Sequence, residues 1–176
     1  MVTSEIGSIS SGVASGRALR ILAPLGTMVD APQPLKPLLD KSRVDIHADL
    51  ADRGDGFTAR YRGAGAIVAD YDSGVDLAHP DLRALDGPTR LVGVWDQDIP
   101  GTPPPGKTDG HLCTHPNLAA GICPSRDKTG HGTHVLSVAA SGGPNYRGVA
   151  PEASLAMAAS SEYELFLDTL DWFRNV

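Results

Sequence analysis

Two short stretches hold the side chains best suited to proton chemistry. Gly130-His131-Gly132-Thr133-His134 opens a run of small residues that continues through Val135-Leu136-Ser137-Val138-Ala139-Ala140. A histidine set between glycines at a helix start is held by a tight turn, with little bulk around it. That suits a general base, which must reach its proton within hydrogen-bond distance and be oriented from behind. Alone, the pentapeptide fits a structural histidine at a helix N-terminus equally well. The second stretch, Asp72-Ser73-Gly74, follows the mostly apolar run Ala66-Ile67-Val68-Ala69-Asp70-Tyr71. That run reads as a buried parallel strand. An acid at its carboxyl end lies where open α/β sheets gather their chemistry, although Asp-Ser-Gly by itself is more often just a turn.

Two further blocks extend the pattern. His79-Pro80-Asp81-Leu82 follows the first acid, and Gly148-Val149-Ala150-Pro151-Glu152-Ala153 follows the histidine block. In this order the blocks resemble the subtilisin-like serine proteases. The resemblance covers residues 41–176 and says little about residues 1–40. It implies an α/β, three-layer subtilisin-like fold with a mostly parallel sheet, present as its N-terminal portion. It also implies that Asp72 orients an imidazole and that His131 is the general base of a triad in the chain order Asp, His, Ser. His134, one helical turn on, reads as structural, as do His79 and Asp81. Asp81 matches a family position that can bind calcium. The loop Ser141-Gly142-Gly143-Pro144-Asn145-Tyr146-Arg147 is short, however, and calcium wants six or more oxygens. No cofactor is required by this reading.

The remaining elements must position these groups. Arg90-Leu91-Val92-Gly93-Val94-Trp95-Asp96 reads as a second strand. Ser154-Leu155-Ala156-Met157-Ala158-Ala159 reads as a third buried strand, although its alanines tolerate helix. Ser161 and Glu164 form a capping-box pattern for a last helix. On it Tyr163, Phe166, Leu167, Leu170 and Phe173 share one face, read as a core face. An insertion from Pro100 to Arg126 holds the only two cysteines, Cys113 and Cys123. With His111 and His115 they are four potential zinc ligands, but the spacing fits no common zinc pattern. A disulfide closing a short surface loop fits an exported protein, and two free thiols are the plainer alternative. Residues 1–40 are rich in Gly and Ser, then broken by Pro24, Pro32, Pro34 and Pro37, and read as a leader, linker or pro-segment tail. Residues 41–63 are mixed and polar, with turn signals at Arg53-Gly54-Asp55-Gly56.

Composition bounds the partners. With 41% hydrophobic and 20% charged residues over 176 positions, the chain is globular rather than disordered. A net charge of -6 with scattered basic residues offers no footprint for nucleic acid. No apolar run is long enough to span a bilayer, and no signal-peptide pattern opens the chain as it stands. The expected partners are a polypeptide substrate and the remaining part of the catalytic domain. The 176 residues contain neither a Gly-Thr-Ser-x-Ala nucleophile block nor the oxyanion asparagine that the resemblance calls for. The expectation is therefore a serine endopeptidase by family, inactive as this chain alone. In subtilisin itself, loss of the triad serine costs about a millionfold. The strand ending at Asp72, central in a complete sheet of this family, is expected to show an open edge. The alternative is a non-catalytic remnant that binds a peptide or protein at that edge.

Overall fold

The computed structural model describes residues 2–6, 9–12, 39–84, 87–161 and 165–176. They fall into two units, Met1–Pro37 and Leu38–Val176. In the first, β1 (Val2–Ile6) and β2 (Ile9–Gly12) pair antiparallel, with Ile6 opposite Ile9.

The second unit opens with two short helices, α1 (Leu39–Asp45) and α2 (Ala48–Arg53), where the sequence signalled only polar turns. Gly54 ends α2 in the left-handed conformation, and its N–H returns to the carbonyls of Leu50 and Ala51. Asp52 of α2 draws in Arg43, Arg62 and Arg147, which fastens these helices to the rest of the unit.

A four-stranded sheet follows: β3 (Ile67–Asp72), β4 (Leu91–Asp96), β5 (His111–Thr114) and β6 (Ser154–Ala159), in the order β3-β6-β4-β5. β3, β6 and β4 run parallel, and β5 is antiparallel to β4. β6 thus lies between β3 and β4, and its alanines, buried on both faces, let two layers of helices approach. β3 lies at an edge of the described sheet. It is half-buried rather than fully buried, and Ile67 is 45% exposed.

Helices cover both faces, giving three layers. On one side lie α3 (His115–Ala119) and α4 (His131–Ala140); on the other lies α5 (Phe166–Phe173). The first core joins Leu91, Val94, Leu155 and Met157 of the sheet to Leu136 and Ala140 of α4 and Leu118 of α3. Leu91 and Val94 stand three residues apart yet face the same core, because the β4–β6 register slips between Leu91 and Gly93. The second core sets Trp95 edge-on to Trp172 of α5, with ring centroids 5.8 Å apart. A side chain at Gly93 would strike the Trp172 ring.

Three expectations change here. The core face of α5 is Thr169 and Trp172, whereas Phe166, Leu167 and Leu170 are exposed. Of the expected stripe, Phe173 does pack against Trp172 in the second core, but Trp172 takes the place over Gly93 and leaves Phe166, Leu167 and Leu170 outside. Leu165, not Ser161, precedes the first turn of α5; Ser161 instead donates to Asp98 through both N–H and hydroxyl. Tyr163 and Glu164 lie outside the described residues. Finally, Cys113 and Cys123 form a disulfide, but it is packed into the first core rather than closing a surface loop. With both sulfurs joined to each other, the His-Cys group has no thiolate to offer zinc.

Arg90, just before β4, holds several elements together. Its guanidinium donates to the carbonyls of Arg83, Ala153, Asp81 and Ala140, the last residue of α4. A cation there satisfies a terminal helix carbonyl and meets the negative end of the helix dipole. Replacing Arg90 with Met leaves these carbonyls without their charged donor. The expected cost is about 2–4 kcal/mol of unfolding free energy, read as a lower urea midpoint, with Arg90→Lys falling between.

Candidate active site

The site forms at the carboxyl edge of the sheet, where Asp72, Ala159 and Asp96 end three neighbouring strands in one row. Asp72 is the last residue of β3 and its side chain is 14% exposed. The Nδ1 atom of His131, first residue of α4, lies 2.7 Å and 2.8 Å from the two Asp72 oxygens. Asp72 Oδ1 also accepts the Ser73 N–H at 2.6 Å. Two elements far apart in sequence thus place a carboxylate behind one ring nitrogen. The other nitrogen, Nε2, has no hydrogen-bond partner among the described residues, and the imidazole is 68% exposed.

Close approach of strand and helix depends on two glycines. A β-carbon on Gly132 would come within 2.2 Å of the Gly74 carbonyl oxygen and 3.0 Å of the Asp72 β-carbon. Gly74 has φ 125°, and a side chain there would meet the Arg126 carbonyl at 2.7 Å. Gly132 is required by the strand–helix contact and Gly74 by the passage of Arg126, whereas Gly130 has open space around it and is favoured by its left-handed backbone.

The start of α4 is bound by side chains from outside the helix. Gly130, its cap residue, adopts the left-handed conformation and has no side chain to offer. The His131 N–H donates to the Thr129 hydroxyl, the Gly132 N–H to the Ser73 hydroxyl, and the Thr133 N–H to Asp127. Asp127 further accepts from Ser73 Oγ, Thr129 N, Gly130 N and Thr133 Oγ1. Burial pushes the Asp127 carboxyl up, but these hydrogen bonds, led by those from Thr133, outweigh it and hold its pKa at about 2. For His131, the hydrogen bond to Asp72 and then its negative charge raise the pKa above 6.5.

The other residues raised by the sequence fall into plain places. His79 Nδ1 accepts from the Asp81 N–H at the start of a single 3-10 turn, Pro80–Leu82. The Asp81 carbonyl receives Gly142 N and Arg90 Nη2, and its carboxylate lies over Gly143. Among the described residues no group of three or more His, Cys, Asp or Glu side chains is placed to hold a metal. His134 is exposed on α4. Ser73, although beside Asp72, is engaged between Asp127, Thr129 and Gly132 as a brace. The role of Asp127 escaped the sequence reading, yet an acid followed by Thr-Gly ahead of a helix is a recognisable start signal.

Carboxylate, imidazole and glycine turn sit on a three-layer, mostly parallel sheet of the subtilisin-like type. The Subtilase family model (peptidase S8) matches residues 63–169, and the chain belongs to that family. Minor extracellular protease Vpr of Bacillus subtilis (strain 168) is 32% identical over 114 residues, 64% of this chain and 12% of that protein. The solved structure of the Clostridium perfringens CspB protease shares the fold, with a TM-score of 0.62 at 21% identity. That likeness covers 78% of this chain and 30% of that one. The chain therefore spans only a minor part of the length of either.

Two outcomes follow from the charges. Because Asp72 raises the folded-state pKa of His131, the pair stabilises the fold fully below the unfolded value of about 6.5 and less as pH rises through the folded value. NMR titration should give a His131 midpoint above 6.5 that falls in Asp72→Asn. Asp127 behaves oppositely, its stabilisation being present above the unfolded carboxylate value and lost as pH falls toward about 2. Asp127→Ala should lower unfolding free energy by about 1–2 kcal/mol at neutral pH, and urea titrations in acid should show the two chains converging.

Proposed function

We propose that residues 41–176 form the N-terminal part of the catalytic domain of a serine endopeptidase, with Asp72 and His131 as two members of its triad. The observation that carries this reading is the Asp72–His131 hydrogen bond at Nδ1, with Nε2 left open. Asp72 keeps the proton of the neutral ring on Nδ1, so that Nε2 carries a lone pair. A serine hydroxyl delivered to Nε2 loses its proton there as its oxygen attacks the peptide carbonyl. Asp72 stabilises the imidazolium so formed. His131 then returns the proton to the leaving amine, and water, activated by the same nitrogen, releases the acyl group.

The 176 residues hold no Gly-Thr-Ser-x-Ala block, and we place the serine and the oxyanion-hole asparagine outside them. In this reading sequence outside them supplies both, and the 176-residue chain alone does not turn over. The substrate in this reading is a polypeptide, since the Bacillus relative is an extracellular protease.

A second reading, binding without catalysis, is favoured by one observation. β3 stands at the edge of the described sheet with Ile67 exposed, an edge an extended peptide could join. A fluorophosphonate separates the two. The 176-residue chain should remain unlabelled, and the longest product of its open reading frame should label on serine and hydrolyse casein. In that product His131→Ala should reduce kcat about 10⁵- to 10⁶-fold. Near-full rate in that variant would dismiss His131 as the base, and absence of labelling in the long product would favour binding alone.

A further inference from the structure

The mechanism above uses one carboxylate, but β3 presents two on the same face. Side chains alternate along a strand, so Val68, Asp70 and Asp72 point together toward α4. Val68 packs against the first core and Asp72 holds His131. Asp70 stands between them, in register with Met157 of β6. Asp70 is partly buried; its Oδ2 is sealed from solvent and has no hydrogen-bond partner among the described residues. A valine or leucine would fill the position without taking a carboxylate oxygen out of water.

The charged surroundings of Asp70 are few. β6 carries no ionisable side chain, and α4 carries only His131 and the exposed His134. Asp72 is its neighbour on β3, and Asp127, across the turn, acts on His131 from the other side. Burial first and then the Asp72 charge raise the Asp70 pKa to about 6, while a hydrogen bond from the Tyr71 backbone and then the His131 charge pull it back. Asp70 in turn is among the charges that raise His131.

We propose that Asp70 is a positioning residue of this site: its carboxyl backs the Asp72–His131 pair and sets how firmly the imidazole holds its proton. When Asp70 is ionised, imidazolium is favoured; when Asp70 takes up a proton, that support is withdrawn. The base thus answers to two acids, and the coupling is reciprocal. Its catalytic consequence rests on the peptidase reading, whereas the coupling itself does not.

The test uses the 176-residue chain. His131 is titrated by NMR in the unsubstituted protein and in Asp70→Asn, where its midpoint should fall by about half a pH unit. The reverse experiment follows the Asp70 carboxyl, whose midpoint should rise in His131→Ala. That variant removes only an exposed ring, so it decides the matter even where Asp70→Asn fails to fold. An unmoved His131 midpoint in folded Asp70→Asn, or an unmoved Asp70 midpoint in His131→Ala, overturns the proposal. A purely structural Asp70 would change the unfolding transition and neither titration. In an active long product, Asp70→Asn should move the acid limb of kcat/KM to lower pH. Lost activity with an unshifted limb overturns the role of Asp70 and leaves the peptidase reading intact. Failure of the long product to label with fluorophosphonate removes that reading and leaves the titrations to judge the coupling.

Discussion

The contact on which the site depends is the one between the Asp127 carboxylate and the first turn of α4. A helix begins with backbone N–H groups that have no partner within it, and here the cap is a glycine with nothing to offer them. Asp127, Thr129 and Ser73 take those donors instead. Because Ser73 belongs to the turn after β3, the same hydrogen bonds that start the helix also tie it to the strand that ends in Asp72. Negative charge from Asp127 and Asp72 lies at the positive end of the helix dipole, which favours both contacts. The orientation of His131 is thus a consequence of capping, achieved before any substrate is considered.

Asp127 must itself be held, and the segment from Pro100 to Arg126 does this. The disulfide joins Cys123 to Cys113 of β5, inside the first core. Two residues on, the buried Ser125 hydroxyl donates to the buried Asp96 carboxylate at the end of β4. Arg126 then passes so close to Gly74 that only glycine fits there. A stretch that looks like an inserted loop is therefore a strut. It is pinned to the sheet at β5 and β4, and it delivers Asp127 across the carboxyl ends of the strands. Its value lies in reducing the freedom of a cap that has to meet donors from both the strand turn and the helix.

Much of this was legible because it rests on local chemistry. Glycines flanking His131 announce a tight turn, and the apolar runs at 66–71, 90–96 and 154–159 announce strands, found at 67–72, 91–96 and 154–159. The mostly parallel sheet in three layers followed from the family resemblance that these blocks carry. What stayed hidden depends on partners distant in sequence. Nothing near Phe166, Leu167 and Leu170 says that Trp172 will take the core by filling the gap over Gly93. Nothing near Ser161 says that Asp98 will claim its hydroxyl before a helix can. The polar stretch at 41–53 turned helical where Asp52 gathers Arg43, Arg62 and Arg147. Asp70 is only one residue of a mostly apolar run, and the face it shares with Asp72 becomes visible only in the strand.

The distribution of constraint also says something about how such a site divides its work. The groups that bond to His131 or to the first turn of its helix lie between Asp72 and Thr133, on strand end, turn, strut and helix start. They act from the Nδ1 side or on the helix backbone, and among the described residues Nε2 has no partner. In the proposed reading, a base prepared in this way needs no further contact to be aimed, so a nucleophile arriving at Nε2 would meet a ring whose tautomer and direction are already set. Orientation is therefore a property of this segment alone, whereas reactivity is a property of whatever is brought to its open nitrogen.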